Sequence, residues 1–276
     1  MKNIGHIIVT LLLLIFSFYY TKIVSNIFID NSILMKKINL NRKKFEYSPV
    51  SATIHGDFII PGVEGREVLK YPSYKKMMRY GNYNEKLFVF KNVVPKITTN
   101  NYYLKYINHA RSGNKKIALI YVVLDNDNID NILKILNDNN TQVTFFVDGI
   151  FLNNNISLIY DILKFGHQVE IFNNNHSDVY FKDCIKLLES IKNKKSLFCY
   201  SDYKNKKLLD YCGVNKLHTV IPTINIKNNL FTNIKNNLAD GILIKMPNNT
   251  SELNVTISYI KQRGYKLYTL ENILKE

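Results

Sequence analysis

Ile117-Ala-Leu-Ile-Tyr-Val-Val-Leu124, then Ile129, Ile132, Leu133 and Leu136, then Gln142-Val-Thr-Phe-Phe-Val-Asp-Gly149: this succession decides the fold. The first run is apolar, β-branched and of strand length, and the four residues after it fall at i, i+3, i+4 and i+7, one face of a helix. The third run is a second buried strand ending on glycine, and Ile156, Ile159 and Leu163 mark another helix closed by Gly166 and His167. Strands that alternate with helices in this way predict a parallel α/β sheet.

Further along, Gly166-His-Gln-Val-Glu-Ile171 follows the second helix, and Asp240-Gly-Ile-Leu-Ile-Lys-Met246 precedes a helical pattern from Leu253 to Gln262 and then Gly264-Tyr-Lys-Leu-Tyr-Thr-Leu270. In order and spacing these pieces resemble the polysaccharide deacetylases of the NodB homology type, over about 160 residues, a usual domain size. The resemblance implies an irregular (β/α) barrel. It also implies a metal held by one Asp and two His, a neighbouring Asp as general base and a distal His as general acid.

Each implied position has a counterpart here. The family's Thr-Phe-Asp-Asp-Gly falls on Ile120 to Leu124, which puts Val122 at the base and Val123 at the first metal ligand. Its Asn-His-Thr-x-x-His falls on Asn173 to Asp178, which replaces the two His ligands by Asn174 and Asp178. Its Arg-x-Pro falls near Phe198-Cys199-Tyr200, and its Leu-His on Lys245-Met246, so Met246 stands where the acid would. A hydrolytic metal needs about three protein ligands and an open position, and the attacking water needs a base within reach. Valine supplies neither. The expectation is therefore a domain without cofactor and without the family's N-deacetylation, in which Val122 and Val123 are strand core.

The alternative is a rebuilt, active de-N-acetylase with one zinc-like divalent ion held by Asp125, His176 and Asp178. Against it, Asp125-Asn-Asp-Asn128 reads as a turn and N-cap cluster ahead of the Ile129 helix. A non-catalytic relative would bind glycan instead, with Tyr121, Tyr180 and Tyr200 as rings that stack on sugars, although tyrosines more often pack with one polar end out. A third reading is a structural subunit of a membrane complex. Cys199 and Cys212 flank a βα unit and could pair in an oxidising compartment; buried thiols are the other reading, and three cysteines make neither a metal motif nor a disulfide scaffold.

At the N-terminus, Ile4 to Tyr20 is nearly all apolar, close to the shortest length that spans a bilayer. No Ala-x-Ala site follows Tyr20, which favours an uncleaved anchor over residues 1–22. Residues 23–44 read as a basic stalk, either solvated or drawn to anionic lipid or wall polymer. Lys36, Lys37, Arg42, Lys43 and Lys44 would place the remainder in the cytoplasm by the positive-inside rule. The envelope substrate that the resemblance implies argues for the opposite side, so the expectation is a single-pass protein with its domain outside. Residues 45–111 are a turn-rich lead-in that packs on the sheet, and 112–276 form the deacetylase-like domain.

Composition excludes other classes. Hydrophobic residues make up 46% of the 276, enough for a core. No Gly-rich phosphate loop or Gly-x-Ser-x-Gly elbow is present. The net charge of +15 accompanies a general enrichment in Lys, Asn and Ile rather than an Arg and aromatic stripe, so nucleic acid is not an expected partner; envelope glycan, envelope proteins and the membrane are.

Overall fold

The structure is a computed structural model that describes residues 2–124, 128–173 and 177–276, with the backbone alone at 2–5, 7 and 178. The chain divides into two units, residues 1–49 with 64–93 and residues 50–63 with 94–276.

In the smaller unit, helix α1 (Lys2–Asn31) is followed by α2 (Ile33–Arg42). In the larger, β1 (Thr53–His55) and β2 (Phe58–Ile60) form an antiparallel pair. The smaller unit then resumes with β3 (Gly65–Val68), α3 (Lys70–Arg79) and β4 (Phe90–Val93), in which β3 and β4 pair antiparallel. Its core is Met35, Ile38, Val68, Met77 and Phe88. Residues 23–44, expected as a stalk, are helical apart from the break at Ser32 and the turn after Arg42. Ser32 caps α2 by accepting from the Met35 N–H at 3.1 Å, and Met35 and Ile38 give α2 a buried face. Residues 45–111 divide between the two units instead of forming one lead-in.

The larger unit continues with β5 (Tyr106–Ile107), β6 (Lys116–Val123), α4 (Ile129–Asp138), β7 (Thr144–Val147), α5 (Gly149–Asn154), α6 (Ile156–Lys164), β8 (Gln168–Phe172) and α7 (Asp178–Lys192). It closes with β9 (Phe198–Tyr200), α8 (Lys206–Val214), β10 (His218–Val220), β11 (Ile224–Asn225), α9 (Leu230–Asn237), β12 (Leu243–Lys245), α10 (Leu253–Gln262), β13 (Lys266–Tyr268) and α11 (Leu270–Ile273). The sheet order is β1-β2-β5-β10-β9-β8-β7-β6-β12-β11, with β13 also paired to β6. Every pair from β2 to β11 is parallel, as crossover helices require, and only the β1–β2 edge makes the sheet mixed.

The sheet curls, so its two faces enclose two cores. Strand side chains alternate. On β6, Ile117, Leu119, Tyr121 and Val123 join the core under the helices, together with Ile129, Ile132, Leu133 and Leu136 of α4. Ala118 and Ile120, with Val122 half-buried above them, join Phe146, Phe172, Phe198, Tyr200 and Val220 inside the curl. The alternation of strands and helices predicts the parallel sheet, and its irregular, open half-barrel is what the family resemblance implies.

Two polar devices hold its base. The Asp240 carboxylate accepts from the backbone N–H groups of Gly113, Asn114 and Lys116, which fixes the entry into β6. The Glu276 carboxylate accepts from the N–H groups of Gly62 and Thr99 and from the Thr99 hydroxyl.

Candidate functional site at the C-terminal ends of the strands

The mouth of the curl lies where β6, β7, β8, β9 and β12 end, the place at which parallel α/β folds present chemistry. Its floor is apolar. Val122 is half-buried over Phe146, Phe172 and Tyr200, and its carbonyl accepts from Asn248 Nδ2 at 3.1 Å. Val123, one residue on, turns to the other face and packs at 2% exposure among the helix-side residues. Met246, at 2% exposure, packs on that side too. The site that the resemblance implies would have two carboxylates and an imidazole at these three positions.

Above the floor is a polar cluster. Asp202, two residues beyond β9, accepts at Oδ1 from the Tyr200 hydroxyl at 2.6 Å, from Lys245 Nζ at 2.9 Å and from Asn225 Nδ2 at 3.1 Å. The Lys245 ammonium also lies 5.5 Å from the centre of the Tyr200 ring, and that ring packs on Phe146. Burial pushes the Asp202 carboxyl up. The hydrogen bonds from Lys245 and Tyr200 and the charges of Lys245 and Lys227 outweigh it and hold the group below its ordinary range. Tyr200 is driven far upward, by burial and by the Asp202 acceptor. At neutral pH the cluster is thus a carboxylate, a neutral phenol and an ammonium, with half-exposed oxygen and nitrogen edges.

Asp125, Asn174 and His176 lie outside the described residues. Asp178 begins α7, and its side chain is likewise outside them. Asn128 occupies the N-cap position of α4 at φ +63° and makes no capping bond through its side chain; its Nδ2 reaches the Asn248 carbonyl at 3.4 Å. Among the described residues no three His, Cys, Asp or Glu gather in a way that could hold a metal ion. Of the three ligand positions that the resemblance implies, only Val123 has its side chain among the described residues, and a valine has no donor atom to offer a metal.

The tyrosines need correction. Tyr121 is fully buried under the helices, stacked on Phe145 with its hydroxyl unpartnered, and burial pushes that phenol well up. It faces away from the mouth because its odd position on β6 points outward, so no sugar can reach it. Tyr200 is at the mouth but only 4% exposed, and Tyr180 packs with Gly149 and Cys184 on the helix side. The exposed ring near the mouth is Tyr203, at 68%.

The motif residue Glu170 is a brace. It is 1% exposed, and its carboxylate takes hydrogen bonds from Lys192 Nζ at 3.1 Å, Gln168 Nε2 at 2.9 Å and the Leu197 N–H at 3.1 Å. His167 is 4% exposed, with Nδ1 accepting from the Val143 N–H. Cys199 of β9 and Cys212 of α8 are joined as a disulfide, with Cα atoms 6.5 Å apart.

Sequence reasoning missed Asp202. Its partners lie on three separate strands, 2, 23 and 43 residues away. The available signal was its place just beyond the end of β9, where a parallel sheet collects functional side chains.

Comparison with known proteins agrees with this geometry. Residues 109–210 match the family model described as polysaccharide deacetylase. The uncharacterized protein YlxY of Bacillus subtilis strain 168 is 27% identical over 257 residues, covering 84% of this chain and 81% of that one. Wild-type BA3943 of Bacillus anthracis, a CE4 family pseudoenzyme, has the same fold with a TM-score of 0.67 at 20% identity, over 89% of this chain and 96% of that one. PdaA of Bacillus subtilis, a family 4 carbohydrate esterase, matches with a TM-score of 0.53 at 17% identity, over 64% and 86%. The curled parallel sheet, the succession of motifs along it and the match over 109–210 make the larger unit similar, in fold and over those residues in sequence, to the polysaccharide deacetylase domains of the NodB type.

Proposed function

We propose that this chain is a membrane-anchored, non-hydrolytic relative of the polysaccharide deacetylases whose sheet mouth binds cell-envelope glycan. The observation that carries the reading is the replacement at the mouth: Val122, Val123 and Met246 remove the base, a metal ligand and the acid, while Tyr200, Asp202, Asn225 and Lys245 form a polar ledge in their neighbourhood. Such a ledge can exchange hydrogen bonds with sugar hydroxyls, and the exposed Tyr203 nearby offers a ring face. No step of amide hydrolysis can be assigned to these groups, since none is placed to activate a water on a Lewis acid. BA3943, which shares the fold, is described as a pseudoenzyme, and a mutant of it has restored enzymatic activity; both facts support reading the sheet as able to outlive its chemistry.

Helix α1 supplies the anchor in this reading. Its segment Ile8–Asn31 is long and apolar enough to cross a membrane and none of it is buried in the protein. The glycan reading places the larger unit on the outer side.

The test uses the full chain in detergent. Divalent metal content, acetate release from N-acetylated glycan oligomers and retention of peptidoglycan are measured together. Retention without metal or acetate supports the proposal. Stoichiometric metal with acetate release overturns it in favour of a rebuilt enzyme, and no retention by a folded chain overturns it in favour of a structural subunit. A fusion reporter active only outside the cytoplasm, placed after Glu276, reads the orientation; an inactive reporter on an expressed, inserted chain overturns that clause.

A further inference from the structure

The charge of this protein is not evenly spread. Residues 1–49 and 64–93 hold fourteen Lys and Arg against five Asp and Glu, so this minor part of the chain carries +9 of the total +15. Within that unit, α2 has two unlike faces. Met35 and Ile38 are fully buried on one side. On the other, Ile33, Lys36, Lys37 and Leu40 recur at i, i+3, i+4 and i+7, and Lys43 and Lys44 follow in the turn. All six are exposed, and the two apolar members strongly so, Ile33 at 76% and Leu40 at 78%. A solvated face would have no use for them; single exposed apolar residues are common, but here two share a stripe with two lysines, and two more lysines follow in the turn.

The position of this stripe names what covers it. A helical segment of 24 residues measures about 36 Å, against about 30 Å of hydrocarbon, so a span over Ile8–Asn31 ends inside the headgroup layer. One residue, Ser32, separates that end from α2. It allows little play: its N–H and hydroxyl both donate to the Ile29 carbonyl, its Oγ accepts from the Met35 N–H, and Asp30 accepts from the Tyr71 hydroxyl of α3 at 2.9 Å. The first turn of α2 is therefore held at the depth where phosphates lie.

From these observations we infer that the outer face of α2 is a docking surface for anionic phospholipid: Ile33 and Leu40 enter the headgroup and acyl boundary, and Lys36, Lys37, Lys43 and Lys44 pair with phosphates. The inference rests on α1 spanning the membrane and is independent of which side the larger unit occupies. Its effect is to fix the smaller unit on the bilayer surface rather than leave it tethered.

The chain contains no Trp, so a single introduced indole reports its own surroundings. Leu40→Trp and, separately, Phe16→Trp are introduced in the full chain and reconstituted in vesicles of phosphatidylcholine alone or with phosphatidylglycerol, each containing brominated lipid as quencher. The expected result is quenching and a blue shift of the Leu40→Trp emission in anionic vesicles. High salt or Lys36→Glu with Lys37→Glu should reverse it, while the Phe16→Trp emission is quenched in both lipids. Quenching in the Phe16→Trp chain without quenching in the Leu40→Trp chain overturns the docking surface and leaves the anchor standing. Quenching in neither chain overturns both. A Leu40→Trp emission that shifts with a soluble polyanion but not with vesicles overturns the lipid assignment in favour of a polymer.

Discussion

Lys192 Nζ lies 3.1 Å from Glu170 Oε1, and the two side chains are 8% and 1% exposed. The pair ties α7 to β8, and Glu170 also holds the N–H of Leu197 ahead of β9. Substituting Lys192 by Met leaves the carboxylate buried without its cation, and we expect a loss of about 3–5 kcal/mol in urea unfolding. The double variant Lys192→Met, Glu170→Gln should recover much of that loss, because an amide can be buried more cheaply than an uncompensated charge. An unchanged midpoint for the single variant would show the pair contributes nothing.

Asp202 organises the polar ledge alone. Asp202→Ala frees Lys245, Tyr200 and Asn225 at once, and we expect glycan retention to fall by about tenfold, the equivalent of one charged hydrogen bond. Because the site is part-exposed, unfolding stability should move by only about 1 kcal/mol. Retention equal to that of the parent chain would remove the ledge from the proposed binding site.

Two buried histidines set a pH dependence. Burial lowers both His167 and His218 from 6.5 to about 4. His218 Nε2 faces Asn100 Oδ1 and its Nδ1 has no partner; His167 Nδ1 is an acceptor and its Nε2 has no partner. Both folded values lie below the unfolded one, so the unfolded chain binds more protons between pH 6.5 and 4. The stability of the neutral form is complete above pH 6.5 and is lost as pH falls toward 4, on the order of 3 kcal/mol for each histidine. Denaturation midpoints at about pH 7, 5.5 and 4.5 should fall in that order, and His218→Gln should flatten the slope. A profile unaffected by that substitution would exclude His218 as a source.

Gly241 holds φ +85°, and a Cβ there would lie 2.4 Å from the Ala110 carbonyl oxygen. Its own N–H donates to Lys116 O and its carbonyl accepts from Ala110 N–H, so the backbone cannot easily move aside. Gly241→Ala should cost at least about 2 kcal/mol, through strain and contact together. Thermal unfolding measures it.

Thiol titration of the unfolded, unreduced chain should find one free thiol, Cys184, and three after reduction. Cys212→Ser, which opens a loop of 13 residues, should cost about 3 kcal/mol. Three thiols before reduction would show that the pair does not form in the source compartment.

The sheet was legible because its strands and helices are local patterns. Ile129, Ile132, Leu133 and Leu136 announce α4 by period and are all buried in the structure. Residues 45–111 were not legible, since β3 pairs with β4 across the whole of α3, and β5 joins β10 more than a hundred residues on; no local period reports such partners. Helix α2 was hidden for another reason. Its buried face rests on few apolar residues, and the exposed lysines dominate its composition. At the end of β6 the two valines could be read from the sequence because residue type is local, while only the structure shows that Val122 lines the mouth and Val123 turns to the helix side. The cluster around Asp202 depends on several strand ends meeting and could be seen only in three dimensions.

The valines at the end of β6 also bear on how this domain is made. A mouth with two adjacent carboxylates carries a mutual repulsion that a bound cation relieves, which couples the yield of folded protein to the metal available during biogenesis. On the reading proposed above, Val122 and Val123 bring no such charge to the end of β6, and the yield of folded chain should be the same with and without a chelator during expression.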